Sequence, residues 1–248
     1  MGYHESLTEG RNAVLEAFRS GKTVDRLFVL DGCQDGPVKT ILREAKKQDT
    51  MVQYVKKERL DQLSETKNHQ GVIAYCAACE YAEVSDILEN AKKKGEAPFI
   101  VLLDGIEDPH NLGAIIRTAN QAGAHGVIIP KRRAVGLTPT VARTSAGAVN
   151  YVPVAKVTNI SNTMKELKDR GMWFVCADMD GTLMYDMDLT GPIGLVIGNE
   201  GDGVSPLVKK NCDMVASIPM KGDIDSLNAS VAAGVLSYEI VRQRMKKG

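Results

Sequence analysis

The chain has no excess charge of either sign: 31 lysines and arginines balance 31 aspartates and glutamates over 248 residues. A strongly basic footprint is therefore missing, which argues against non-specific nucleic-acid binding while leaving room for a local basic patch. Cysteine is scarce. Its five copies (Cys33, Cys76, Cys79, Cys176 and Cys212) make no even, dense framework, which points to a reducing cytoplasm rather than a disulfide scaffold. Cys76 and Cys79 form one Cys-x-x-Cys pair, but no second pair at ligand spacing accompanies it. Two buried or half-buried thiols are expected there, and no metal. No run of about 18 apolar residues exists to cross a membrane, and the N-terminus lacks the basic and apolar regions of a signal peptide. The opening MGYHES fits the bare myristoylation pattern, but no basic cluster adjoins it to add membrane affinity, so the match reads as chance.

What is present is an ordinary globular composition, 44% hydrophobic and 25% charged. The length suits one large domain or a small one joined to a medium one. Residues 1–80 read as a small α/β unit: a helix over Arg11–Arg19, strands over Val24–Leu30, Met51–Val55 and Gly71–Cys76, and helices over Pro37–Gln48 and Lys57–Glu65. Residues 81–97 are charged and helical in pattern, and are expected to connect two domains. From 98 to 248 the apolar runs lengthen: FIVLLD (99–104), GVIIP (126–130), WFVCA (173–177), GLVIG (194–198) and MVASIP (214–219). Helical patterns lie between several of them, over 111–122, 158–170 and 226–247. Apolar strands alternating with helices imply a mostly parallel sheet buried on both faces, with ligands collecting at the loops after the strand C-termini.

One stretch offers a competing chemistry. In MWFVCADMDGTLMYD (172–186) an apolar run enters Asp178-x-Asp180-Gly181-Thr182, which resembles the nucleophile loop of haloacid-dehalogenase-type phosphatases. The rest of that pattern is missing. Only 68 residues follow Asp180, and the next strand, Leu195-Val196-Ile197, ends in Gly-Asn-Glu rather than Ser or Thr. The stretch is expected to be a core strand followed by a polar turn over 178–181, with solvent-facing carboxylates. Asp178→Asn is then expected to leave the chemistry intact.

Three other loops carry stronger signals. Asp104 to Arg117 runs from a strand end into a helix for which Asn111 is a good N-cap, and places Arg117 less than two turns inside. An arginine so placed can pair with a local carboxylate such as Glu107 or Asp108, or face a phosphate bidentately. Gly194 to Ser205 sets Gly198, Gly201 and Gly203 around Asn199 and Glu200. That is a backbone built for close approach, but neither a dinucleotide fingerprint nor a P-loop. Ile218 to Ser230 brings Ser226 and Asn228 to the start of the last helix, where a cap and a packing seam of small residues are the plain reading.

Taken together, N-L-G-x-I-x-R-T-A (111–119), G-N-E-G-x-G (198–203) and I-P-M-x-G (218–222) followed by S-L-N-x-S (226–230) resemble motifs 1, 2 and 3 of the SpoU (TrmH) class of SPOUT RNA methyltransferases. E-G-R-N-A-V-L-E-A (9–17) and N-H-Q-G-V-I-A (68–74) are similar to the L30e-like RNA-binding domain of the RlmB-type 23S rRNA methyltransferases. The resemblance implies an α/β chain with a C-terminal SPOUT α/β-knot, containing a trefoil knot, behind that small N-terminal domain. It implies a cytoplasmic homodimer that transfers methyl from S-adenosyl-L-methionine to a ribose 2′-hydroxyl, with a guanosine in 23S rRNA as the expected target. Tethering RNA through a separate domain, which the tRNA-directed relatives usually lack, tilts the substrate towards rRNA.

By the same resemblance Arg117 is the central catalytic residue, with Asn111, Glu200, Asn228 and, more weakly, Ser226 around it. A guanidinium keeps its proton at neutral pH, so Arg117 is expected to clamp a phosphate and stabilise an alkoxide rather than act as a base. Gly198, Ile218, Leu227, Met220 and Gly203 are expected to contact the cofactor. Lys131 and Arg132, in the run Lys131-Arg132-Arg133, and His69 and Gln70 in the first domain are the candidate RNA contacts, although a charge run is often merely solvated and a lone histidine often structural. Two rivals stay open: a tRNA 2′-O-methyltransferase, and a non-catalytic RNA-binding or ribosome-assembly protein of this fold. The second should have lost Arg117 or Asn228, and both are present.

Overall fold

The computed structural model describes residues 7–223 and 226–247; the MGYHES segment lies outside them. The chain divides into two compact units, Met1–Glu80 with Gly136–Pro139, and Tyr81–Val135 with Thr140–Gly248.

The first unit runs β1 (Leu7–Glu9), α1 (Arg11–Arg19), β2 (Val24–Leu30), α2 (Gly36–Lys47), β3 (Met51–Val55), α3 (Lys57–Leu63) and β4 (Val72–Cys76). The sheet order is β1-β4-β2-β3, with β2 and β3 parallel and β4 antiparallel to both β1 and β2. Alternation along VDRLFVL explains the layering, because successive side chains of a strand point to opposite faces. Leu27 and Val29 join Val14, Phe18 and Ile41 of α1 and α2 in one cluster, whereas Phe28 joins Leu60 of α3 and Ile73 in another. Helix α2 starts where Asp35 Oδ1 accepts from the Val38 N–H (3.1 Å) just ahead of Pro37. Such a cap stabilises by roughly 1 kcal/mol.

The second unit contains α4 (Val84–Lys94), β5 (Phe99–Asp104), α5 (Pro109–Gln121), β6 (Gly126–Pro130), α6 (Pro139–Thr144), β7 (Val154–Val157), α7 (Ile160–Lys168), β8 (Trp173–Leu183), β9 (Ile193–Gly198), α8 (Pro206–Lys210), β10 (Met214–Ser217) and α9 (Ala229–Lys247). Its sheet is parallel throughout, in the order β10-β8-β9-β5-β6-β7. Strands covered on both faces must be apolar at every position: five of the six residues of β5 and of β9 are buried. The expected α/β architecture is therefore present. The segment 81–97, expected as a connection, supplies α4 to the second unit. Its Ile87 and Ala91 are buried, and a Cβ on Gly126 of β6 would collide with Ile87.

Four elements go beyond the sequence reading. β1, β7, α6 and α8 span three to six residues each, too short for a period to show. The largest correction concerns β8. The strand does not end at Ala177 but continues to Leu183, and no turn closes it at 178–181. Its pairing with β10 jumps instead: Val215 sits opposite Cys176 and Ala216 opposite Thr182, so residues 177–181 bulge from the ladder. Gly181 makes the bulge possible, because a Cβ there would run into the Val215 backbone, and the Ser217 hydroxyl ties it down by donating to the Gly181 carbonyl (3.0 Å).

Candidate functional site

At the C-terminal end of the sheet, the turn after β9 folds back so tightly that Gly203 pairs with Asn199. A Cβ on Gly198 would overlap the Gly203 and Val204 backbone, so only glycine permits this crossing. Asn199 organises the turn: its Oδ1 accepts from the N–H groups of Gly201 (2.9 Å) and Asp202 (2.7 Å). Gly203 takes φ +68, the left-handed region that favours glycine. The N–H of Ser205, just past the turn, donates to Asp104 Oδ2 of β5 (2.8 Å), which fixes the turn against the end of the neighbouring strand.

Glu200, at the head of this turn, meets residues far away in sequence. Asn111 Nδ2 donates to Glu200 Oε1. Asn228 Nδ2 donates to Asn111 Oδ1 (3.1 Å) and to Glu200 Oε1 (3.4 Å). Asn228 can do this because its other end is committed: Oδ1 caps α9, accepting from Ser230 N (2.9 Å) and Ser230 Oγ (2.6 Å). The cap forces the carboxamide nitrogen outward, so helix initiation and site geometry depend on one side chain. The N-cap expected at Asn111 is instead Asp108, whose Oδ1 accepts from His110 N (3.0 Å) ahead of a proline in the first turn. An Asp-Pro pair starts a helix well. It leaves Asn111 buried in that first turn with its amide available to Glu200.

Beside this trio lies a cleft of about 320 Å³, lined by Gly198, Gly203, Ile218, Met220 and Leu227, with Glu200 and Ser226 also on its wall. All five residues expected to contact the cofactor therefore border one cavity, whose size falls in the ~300–1,000 Å³ range of small-molecule sites. The apolar walls and the glycine crossing fit a flat nucleoside held against backbone. Arg117 stands apart. It is exposed, and among the described residues nothing pairs with its guanidinium. Six residues along α5, it leaves the helix about 120° around from Asn111. Ser226 is exposed and does not cap α9.

The candidate RNA residues fare differently. Lys131 and the exposed Arg132 follow β6, where the Lys131 N–H still donates to Val157 O (2.8 Å). In the first unit His69 is buried. Its Nδ1 accepts from Gly71 N (3.0 Å), and its Nε2 lies 3.0 Å from Asp61 Oδ1, so both ring nitrogens are engaged within the unit. Gln70 is exposed and takes φ +50, held by Arg11, whose Nε donates to Gln70 O (3.0 Å). Cys76 and Cys79 are desolvated, which pushes both thiols above their ordinary range and keeps them protonated.

Sequence reasoning left three residues out of the site: Asn199, Asp104 and Asp178. Asn199 sits inside the Gly-rich motif and could have been read as its turn-forming residue. Asp178 gave a misleading signal through its phosphatase-like context. It is not solvent-facing: its side chain is about three-quarters covered, it lines the cleft, and Lys209 Nζ donates to its Oδ2 at 2.6 Å. That ammonium holds the Asp178 carboxyl below the usual carboxylate range. Asp180, two residues on, is exposed.

With this geometry in hand, comparison with known proteins is decisive. Residues 98–238 match the SpoU rRNA methylase family, and residues 7–82 match the family described as RNA 2′-O ribose methyltransferase substrate binding. The chain belongs to the SpoU (TrmH) family of RNA methyltransferases. Among SpoU relatives, YacO of Bacillus subtilis (strain 168), described as a TrmH family tRNA/rRNA methyltransferase, is 48% identical over 96% of both chains. The SpoU methyltransferase AviRb from Streptomyces viridochromogenes, solved with AdoMet, superposes with a TM-score of 0.62 at 29% identity, covering 97% of this chain and 90% of its own. An AdoMet-bound rRNA methyltransferase from Sinorhizobium meliloti gives a TM-score of 0.61 at 26% identity, covering 96% of this chain and 87% of its own. The fold class is thus that of the SPOUT methyltransferases, and the phosphatase-like stretch belongs to a SpoU sheet.

Proposed function

We propose that this SpoU-family enzyme transfers a methyl group from S-adenosyl-L-methionine to a ribose 2′-hydroxyl of a guanosine in 23S rRNA, acting as a homodimer. The observation that carries the reading is the convergence of three loops, 28 to 117 residues apart in sequence, on the interlocked Asn111, Glu200 and Asn228 at the rim of the Gly198 cleft. When bound there, the cofactor supplies an electrophilic methyl group. The chain's own residues do the rest. Gly198, Gly203, Ile218, Met220 and Leu227 hold the adenosine against backbone and apolar side chains and keep water from it.

A 2′-hydroxyl is a weak nucleophile, so orientation and charge stabilisation must supply much of the rate. Glu200 and the two carboxamides form a polar rim that orients the target ribose. Arg117, exposed and with no carboxylate among the described residues to neutralise it, is suited to clamp the RNA phosphate and stabilise the developing alkoxide. Ser226, on the cleft wall, is a minor polar contact. Lys131 and Arg132 supply local positive charge to a chain that is neutral overall. The first unit, with Gln70 and its loop, binds the substrate RNA. A second copy is supported by α9, which exposes Val231, Tyr238 and Met245 at seven-residue intervals, an apolar stripe of the kind that dimer contacts cover.

Incubation with methyl-labelled S-adenosylmethionine and either 23S rRNA or bulk tRNA tests the reading. Label is expected in the rRNA. Label in tRNA alone would replace the substrate, and label in neither would leave an RNA-binding protein of this fold.

A further inference from the structure

Among the described carboxylates that line the cleft, Asp178 stands outside both the trio and the span of the family motifs. It stands in the five-residue bulge of β8, the part of the chain whose local sequence resembles a phosphatase nucleophile loop. Three features hold it in place. Lys209 of α8 donates to Oδ2 at 2.6 Å, the Asp180 N–H donates to Oδ1 at 3.2 Å, and the bulge behind it is pinned by Gly181 against Val215. A carboxylate accepts at about four lone-pair positions, so these two bonds leave acceptor capacity towards the cavity.

Its place in the sheet says which end of a bound ligand it meets. The central strands run β8-β9-β5. Gly198 ends β9, Asn111 follows β5 on one flank, and Asp178 follows the core of β8 on the other. The reacting methyl has to face the Asn111, Glu200 and Asn228 side, where the target ribose is oriented. The flank at Asp178 is then left for the non-reacting part. We propose that the Asp178 carboxylate is a cofactor-binding residue that accepts hydrogen bonds from donors of the adenosine half, and that Lys209 positions it. This inference rests on the cofactor reading above. It also replaces the expectation that Asp178→Asn would be silent.

Isothermal titration of the full chain with S-adenosylmethionine and, separately, with S-adenosylhomocysteine tests it. The two ligands share the adenosine and the amino-acid arm and differ in the sulfonium charge; 5′-methylthioadenosine, titrated alongside, keeps the adenosine without that arm, and a loss that spares it would place Asp178 at the arm and overturn the proposal. Asp178→Asn is expected to weaken both by roughly tenfold, the loss of one charge-assisted hydrogen bond. Lys209→Gln breaks the same ion pair but keeps the carboxylate, and is expected to weaken both by less than about threefold. Unchanged affinity in Asp178→Asn overturns the proposal. So does an equal loss in the two variants, which would assign the effect to the ion pair, or a loss confined to S-adenosylmethionine, which would assign it to charge. If the wild type binds neither ligand, the cofactor reading itself fails, and this inference with it. Thermal melting of each variant confirms that the binding partners compared are folded.

Discussion

Two polar loops invite comparison: the Glu200 turn of the second unit and the 64–71 loop of the first. Both are tied by side chains from distant parts of the sequence. Asn111 and Asn228 hold Glu200, while the Glu9 carboxylate accepts from Ser64 Oγ (2.5 Å), Glu65 N (2.7 Å), Thr66 Oγ1 (2.9 Å) and Thr66 N (3.3 Å). The difference lies in what remains available. In the first unit the bonding capacity is turned inward: His69 spends both ring nitrogens on the fold, and Glu9 is saturated. In the second unit the trio sits at the rim of a cavity, with the Asn228 carboxamide locked by a helix cap and the Asn111 carboxamide held by Asn228. A family motif thus marks architecture in one place and a candidate reaction centre in the other, and side-chain commitments tell them apart.

The sharpest way to break the comparison is at the glycine crossing. Gly198→Ala forces a Cβ into the Gly203 backbone, so a loss of about 3 kcal/mol in denaturant unfolding is expected, together with loss of S-adenosylmethionine binding. Near-wild-type stability would mean the crossing is looser than it stands. Next in size is Asn228→Ala, which removes the cap and the bridge together. Methyl transfer should fall by roughly 10²-fold while stability drops by only about 1 kcal/mol. A parallel loss of both would make Asn228 architectural, like its counterparts in the first unit.

His69→Ala is the converse case. Orphaning the Gly71 N–H and Asp61 should cost about 1–3 kcal/mol, while the folded variant keeps its rRNA affinity in a filter-binding titration. Lost affinity at full folding would return His69 to the RNA surface. The smallest effect concerns pH. Burial lowers the pKa of His125, whose Nδ1 accepts from Phe99 N at 2.9 Å. A histidine kept neutral by the fold adds stability above its ordinary pKa of 6.5 and loses it as pH falls below that value. The unfolding midpoint should therefore drop between pH 7.5 and 5.5, and drop less in His125→Gln.

Much of this was legible in the residues. Periodicity placed α1, β2, β3, β5 and β6 with their observed limits, because long apolar runs and strict alternation leave little choice. The five candidate cofactor positions came from the family resemblance rather than from periodicity, and they border one cleft. What was hidden has a common cause. Asp108 rather than Asn111 caps α5, and Asn228 rather than Ser226 caps α9, because several polar residues at a helix start compete and local sequence does not rank them. The bulge at 177–181 depends on register against β10, a strand more than thirty residues away, and no local pattern encodes such a register. The surroundings of His69 were hidden for the same reason: its partner Asp61 lies eight residues away and no local pattern announces the pairing.

The central claim is that the clustered motif residues and Arg117 direct a methyl group onto a ribose 2′-hydroxyl. Its most direct test is to map the label in rRNA after transfer by the wild type and by Arg117→Ala. A 2′-O-methyl group blocks alkaline cleavage of the adjacent phosphodiester, so the modified site survives as an alkali-resistant dinucleotide. One such guanosine-containing product is expected from the wild type and at least about a hundredfold less from Arg117→Ala, on the order of the loss of a transition-state charge contact. Label on a base, or undiminished transfer by Arg117→Ala, would contradict it.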